Sequence, residues 1–200
     1  MPTGILAQER ALYEEMWSGV ESYGANAPGE NYLPLFLARV QPKRGTTVLD
    51  AGTGSGKGAV ALAKAGFEVR LCDVTKAGLI DEAKALPFYE ACLWHDLSRV
   101  TMNFGQWGRT AADYAYCTDV LEHIPPQFTM LAIDQLLRVT RHALFLAISL
   151  QADEYGVWVG KALHQSVFPY TWWRDAISEV GHIVEGRDLI HDAVFWVRPR

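Results

Sequence analysis

The chain is poor in cysteine, in basic excess and in long uninterrupted apolar runs, and each shortage removes a class of protein. Three cysteines in 200 residues, Cys72, Cys92 and Cys117, are too few and odd in number for a disulfide framework, and each falls in a run that reads as a buried strand. They read as inert small core residues, and no metal site is expected. Lysine and arginine number 18 against 23 aspartates and glutamates, for a formal net charge of −5, so no broad cationic surface is available to a nucleic-acid backbone. Only Arg187, Arg198 and Arg200, near the C-terminus, leave room for a local basic patch. The opening MPTGILAQERALYEEMW meets acidic residues before any apolar stretch develops. It therefore reads as neither a secretory leader nor a membrane span, and points to a cytoplasmic protein. Repeats, low-complexity tracts and linkers are also lacking, so residues 1–200 are expected to form one domain.

What is present is an alternation of short apolar runs with helical patterns from Thr46 onward. TTVLD (46–50), FEVRLCDV (67–74), EACLWHD (90–96), ADYAYCTD (112–119) and HALFLAISL (142–150) read as strands. The last is the most continuous apolar run and the best candidate for a central strand. GKGAVALAKAG (56–66) reads as an alanine-rich helix ended by Gly66. Pro125 and Pro126 can open a second helix, on which Met130, Ile133, Leu136 and Leu137 share a face. YTWWRDAISEVG reads as a third, ended by Gly181. HIVEGRDLI and DAVFWVRP are joined through His191 alone, too short for a parallel crossover, so one must run antiparallel to the other. The expectation is an α/β fold with a mostly parallel seven-stranded sheet and an antiparallel C-terminal hairpin. Residues 1–45 stand apart from this core of 46–200. An amphipathic helix (Leu12, Tyr13, Met16, Trp17), a turn-rich SYGANAPGE and a helix in NYLPLFLARV could form a cap or lid over the carboxyl edge of the sheet.

The stretch VLDAGTGSGKG (48–58) carries four glycines, which invites a phosphate reading. A P-loop requires G-x-x-x-x-G-K-[ST], but the register that places Gly56-Lys57 correctly puts Ala51 at the first glycine and Gly58 at the magnesium-binding hydroxyl. A dinucleotide fingerprint requires G-x-G-x-x-G, whereas Gly52, Gly54 and Gly56 run G-x-G-x-G. Acidic residues sharpen the pattern: Asp50 closes the first strand and Asp73 the second, where a carboxylate can accept both hydroxyls of a ribose.

VLDAGTGSG followed by VRLCDV, LWHDLS and DYAYCTDVLEHIPP resembles the successive motifs of the class I, Rossmann-like S-adenosylmethionine-dependent methyltransferases, over roughly Thr46 to Leu150. The resemblance implies a three-layer sandwich and S-adenosyl-L-methionine as cofactor, with S-adenosyl-L-homocysteine as product. It implies that Gly52, Thr53, Gly54 and Gly56 form the cofactor loop, with Asp50 helping to hold the amino-acid end. Asp73 would take the ribose hydroxyls, with Val74 against the adenine; Asp96 would take the adenine amino group, with Leu97 contributing backbone. Asp119 would lie beside the methionine portion.

Methyl transfer from a sulfonium needs a general base only where the acceptor must lose a proton, and His123 and His164 are the candidates. Glu122 reads as a solvated acid at a helix start. Trp17, Tyr23, Tyr155, Trp158, Phe168, Tyr170, Trp172 and Trp173 are candidates for the wall of an acceptor pocket, although adjacent Trp172 and Trp173 cannot both face inward. The end of the fourth strand carries CTDVLEH rather than the [N/D/S]-P-P-[Y/F/W] of amino-group DNA methyltransferases, and Cys117 follows Tyr116 rather than the proline of cytosine-C5 enzymes. The expected reaction is transfer to an oxygen or nitrogen of a small or medium-sized acceptor, a small molecule or peptide. Two competitors remain: a nicotinamide-dependent oxidoreductase built on the same glycine loop, and a non-catalytic subunit that keeps the cofactor pocket.

Overall fold

The structure, a computed structural model, describes residues 3–20, 23, 28–87, 89–91 and 112–200. Helix α1 spans Thr3–Gly19, and a 3-10 turn at Pro28–Glu30 leads into α2 (Leu33–Leu37). The alternation then begins with β1 (Thr47–Ala51), α3 (Lys57–Lys64), β2 (Glu68–Asp73), α4 (Asp81–Lys84) and β3 (Tyr89–Ala91). Next come β4 (Ala112–Thr118), a 3-10 turn at Leu121–His123, α5 (Pro126–Val139) and β5 (Thr140–Ser149). A 3-10 turn at Tyr155–Val159, α6 (Tyr170–Val180), β6 (His182–Asp188) and β7 (Asp192–Arg198) complete the chain. No helix among the described residues is long and apolar enough to cross a membrane.

The seven strands lie in the order β3-β2-β1-β4-β5-β7-β6. Neighbours from β3 to β5 are parallel, and β7 runs antiparallel to both β5 and β6, as the short connection at His191 requires. The chain leaves β1 toward β2 on one side and returns to β4 on the other, so the carboxyl ends of β1 and β4 flank a topological switch point.

Both faces of the sheet are covered, which is why the central strands are apolar on successive residues. Val48, Tyr116 and Phe145 pack on one face with Phe36, Leu62 and Trp196; Leu49, Ala115 and Leu146 pack on the other with Leu136, Trp173 and Phe195. β5 is buried without interruption from Ala143 to Ile148, but β4 holds the middle position and β5 lies beside it. Trp173 is fully buried whereas Trp172 is half-buried and stacks on Phe168 at 3.9 Å. Phe168, Tyr170, Trp172 and Trp173 thus serve the core beneath α6 rather than the wall of a pocket. Trp158 is 68% exposed and walls nothing.

The cysteines divide. Cys117 is free and buried, as expected, but Cys72 is disulfide-bonded, which corrects the expectation that it is an inert core thiol. Cys92 lies outside the described residues.

Candidate functional site: a carboxylate-lined cleft at the β1–β4 switch point

The loop after β1 folds back on β2. Gly52 and Thr53 N–H both donate to the Cys72 carbonyl (2.7 and 3.1 Å), Gly54 N–H donates to Asp73 Oδ2 (2.7 Å) and Gly56 N–H donates to the Thr53 carbonyl (2.7 Å). The N–H groups of Gly52, Thr53, Gly54 and Gly56 are therefore already taken, and the left-handed bend is held by internal bonds. Gly52 has φ +77°, and a Cβ there would fall 2.2 Å from Val120 Cγ2, so no other residue fits.

Carboxylates dominate the rim. Asp50, 4% exposed, accepts a hydrogen bond from Thr53 Oγ1 at 2.6 Å. Burial raises its pKa to about 7, only partly offset by that hydroxyl. Asp73 Oδ1 accepts from Thr75 N–H at 3.2 Å while Oδ2 holds Gly54. Burial pushes the Asp73 carboxyl up, and the N–H groups of Gly54, Thr75 and Val74 pull it back. Asp119 sits at the β4 tip with φ +49°, a conformation that aspartate tolerates better than most residues, and its N–H donates to the Ala147 carbonyl at 2.9 Å. Burial raises its carboxyl to about 6.

Beyond Asp119 the chain makes a second cluster. Glu122 is fully buried, with Oε1 accepting from Ser149 N–H at 3.0 Å and Oε2 lacking a hydrogen-bond partner. It is not the solvated helix-start acid that its position in the sequence suggests; the 3-10 turn points it under β5. Burial, then the nearby Asp119, holds its carboxyl well above the usual range. Its backbone carbonyl accepts Gln165 and Ser166 N–H (2.7 and 2.8 Å), and Gln165 Nε2 donates to the His123 carbonyl (3.1 Å). Those bonds bring in the loop that carries His164. Asp153 pins the same loop, its Oδ2 accepting Leu163 and His164 N–H at 2.7 and 3.0 Å. The rings of His123 and His164 meet edge to face, 4.6 Å between centroids. Burial lowers the His123 pKa to about 3, so that ring is neutral.

Helix α1 crosses the mouth. Arg10 Nε donates to the Val74 carbonyl (3.2 Å), Tyr13 Oη lies 3.0 Å from His123 Nδ1, and Lys161 Nζ pairs with the buried Glu9 Oε1 (3.0 Å). The Trp17 indole lies over Gly54 and Gly78, where a Cβ would come within 3.0 and 2.4 Å of it. Trp17, Tyr23 and Tyr155 form a chain of edge-to-face contacts at 4.8 and 5.5 Å.

Around these groups lie two adjoining cavities of about 130 and 310 Å³ that share Trp17, Tyr23, Gly52, Gly54, Asp119 and His123. Asp73 and Val74 line the smaller; Asp50, Thr53 and His164 line the larger. Of the residues singled out in the sequence, Gly56 lines neither, because it packs on Ala83 and Leu79 instead. Asp96 and Leu97 lie outside the described residues. Tyr13, Gly29, Ser149 and Asp153 also line the cleft and were missed. Nothing in the local pattern marks them; Tyr116 Oη, donating to the Gly29 carbonyl at 2.5 Å, is what brings Gly29 to the loop.

No family model and no curated relative matches the chain. Solved structures do. The Burkholderia thailandensis 1,6-didemethyltoxoflavin-N1-methyltransferase, with its substrate and S-adenosylhomocysteine bound, superposes with a TM-score of 0.73 at 16% identity, covering 100% of this chain and 90% of that one. The Synechocystis magnesium protoporphyrin IX methyltransferase with bound S-adenosylmethionine gives 0.64 at 17% identity, over 94% and 96% of the two chains. An O-methyltransferase family protein from Burkholderia thailandensis gives 0.66 at 12% identity, over 93% and 62%. The chain has the α/β, Rossmann-like fold of the class I S-adenosylmethionine-dependent methyltransferases.

Proposed function

We propose that the protein is an S-adenosylmethionine-dependent methyltransferase acting on an oxygen or nitrogen of a small or medium-sized acceptor, a small molecule or peptide. One observation carries the reading: Gly52, Thr53, Gly54 and Gly56 spend their N–H groups internally while Asp50, Asp73 and Asp119 face the cleft. Such a site repels pyrophosphate and suits a cationic ligand without phosphate. The residues present fit S-adenosylmethionine, which the neighbouring enzymes of this fold bind.

When bound, that cofactor supplies a methyl group already activated by its sulfonium charge. The chain's own contribution is position and enclosure. Gly52 and Gly54 let the ligand approach the backbone, and Asp73, fixed by the N–H groups of Gly54, Thr75 and Val74, presents its carboxylate to ribose hydroxyls. Val74 lies beside it for the adenine, with Asp96 and Leu97 in the same role by resemblance. Asp50 and Asp119 face the cationic end, and α1 with Trp17 closes the mouth as a lid. His123 and His164, beside Tyr23 and Tyr155, flank the space left for the acceptor.

Isothermal titration with S-adenosylmethionine, S-adenosylhomocysteine, NADH and ATP tests this. Micromolar binding of the first pair alone is expected; binding of NADH instead would move the protein to the oxidoreductases, and binding of none would remove the cofactor reading.

A further inference from the structure

The Glu122, His123 and His164 cluster contains more than a pair of candidate bases. Each residue offers a ligand atom, and these atoms all lie within 4.8 Å of one another. The donors around a bound first-row cation, at metal–ligand bonds of about 2.0–2.2 Å, stand roughly 3–3.5 Å apart, so a shift on the order of 1 Å would close the set. Two imidazoles and one carboxylate, with the remaining positions open, suit Mn²⁺, Fe²⁺ or Zn²⁺.

A second observation is independent of that spacing. Glu122 Oε2 is buried and has no hydrogen-bond partner, although the same carboxylate is held by Ser149 through Oε1. A buried oxygen without a donor is costly, and either a proton shared with the neighbouring Asp119 carboxyl or a bound cation satisfies it. The outer groups are those a metal site needs. The Gln151 carbonyl lies 2.6 Å from His164 Nδ1, and a carbonyl only accepts; that nitrogen therefore carries the proton, leaving the Nε2 lone pair free. Tyr13 Oη lies 3.0 Å from His123 Nδ1, and the Leu163 carbonyl also faces that ring, a contact the cation would replace. The loop bearing His164 is anchored by Glu122 itself, through the bonds from Gln165 and Ser166, and by Asp153.

We propose that Glu122, His123 and His164 bind one divalent first-row cation at the acceptor end of the cleft, where its open positions would take an oxygen of the acceptor. The ion's role in catalysis rests on the methyltransferase reading; its binding does not. The sequence offered no such site because the ligands are separated by 41 positions and carry no metal spacing of their own.

The test uses the full chain after chelator treatment, with Mn²⁺ followed by loss of the free-ion paramagnetic resonance signal and Co²⁺ by its visible absorption. Saturation at one equivalent, with a cobalt spectrum showing nitrogen ligation, is expected. His164→Ala, at a half-buried position, and the isosteric Glu122→Gln should each weaken Mn²⁺ at least tenfold while the far-ultraviolet dichroism stays native. No saturable Mn²⁺ or Co²⁺ binding, or affinity unchanged in His164→Ala, overturns the site. Parallel titration with S-adenosylhomocysteine separates the two ideas: S-adenosylhomocysteine binding without metal binding removes only the cation, and the reverse removes only the methyltransferase.

Discussion

The two halves of the cleft are built on different principles. At the β1–β2 tips the bonds stay within one strand–helix–strand unit: Asp50 to Thr53, Gly54 to Asp73, Asp73 to Thr75. At the β4–β5 tips the partners come from afar, Glu122 with Ser149 and Gln165, His123 with Tyr13, and the His164 loop with Asp153. The first half is a preformed cradle whose shape follows from local turn chemistry. The second exists only when α1, the β4 tip and the loop before α6 are assembled, so under the proposed function it is where acceptor preference would vary without disturbing the first.

Four variants sharpen that contrast. Asp73→Ala should have the largest effect: two charge-assisted hydrogen bonds to ribose are worth about 3–6 kcal/mol together, so affinity for S-adenosylhomocysteine should fall roughly 100-fold or more by calorimetry. Unchanged affinity would show that the cradle does not hold the nucleoside.

Asp50 makes a pH prediction. Its folded pKa of about 7 lies above the ordinary aspartate value of 3.8, so folding takes up a proton between these limits, and the contribution of Asp50 to stability falls as pH rises through them. Three units correspond to ~4 kcal/mol at most. Asp50→Asn should flatten the decline in urea-unfolding free energy between pH 4 and 7; a slope equal to that of the parent protein would place the effect elsewhere. A cationic ligand reverses the preference for the neutral form, so S-adenosylmethionine should bind more tightly as pH rises toward 8, and uncharged-sulfur S-adenosylhomocysteine less so.

Gly52→Ala joins the two halves, because the new methyl would strike Val120 beyond the β4 tip. A loss of about 1–3 kcal/mol in thermal or urea unfolding is expected from overpacking at a left-handed position. Tyr13→Phe is the mildest: it removes the hydroxyl on His123 and should cost about 1 kcal/mol or less, seen as faster hydrogen exchange in α1 with cofactor affinity nearly kept. A large loss of cofactor affinity would mean that the lid belongs to the cradle after all.

The strands and helices of the core were legible because each signal is short-range. A period of two or 3.6, Pro125–Pro126 at the start of α5, Gly66 after α3 and the short link at 189–191 act within a few residues. Asp50, Gly52, Thr53, Gly54 and Asp73 were legible for the same reason, since loop and second-strand tip must meet once β1 and β2 pair. The burial of Glu122 was not, because a residue in a one-turn 3-10 segment has no periodicity to show which way it faces. Nor did the sequence tell which aromatics belong to the core: Trp173 and Trp17 look alike in a chain, yet α6 buries one beneath the sheet while α1 lays the other over Gly54.

The sequence by itself determined the order of the elements, the direction of the last hairpin and the cradle at the β1 tip, through backbone preferences that need no distant partner. Tertiary structure alone decided the β4–β5 end of the cleft. Glu122, His123 and His164 become one cluster only when burial and long-range hydrogen bonds outweigh the solvation each would keep in an open chain.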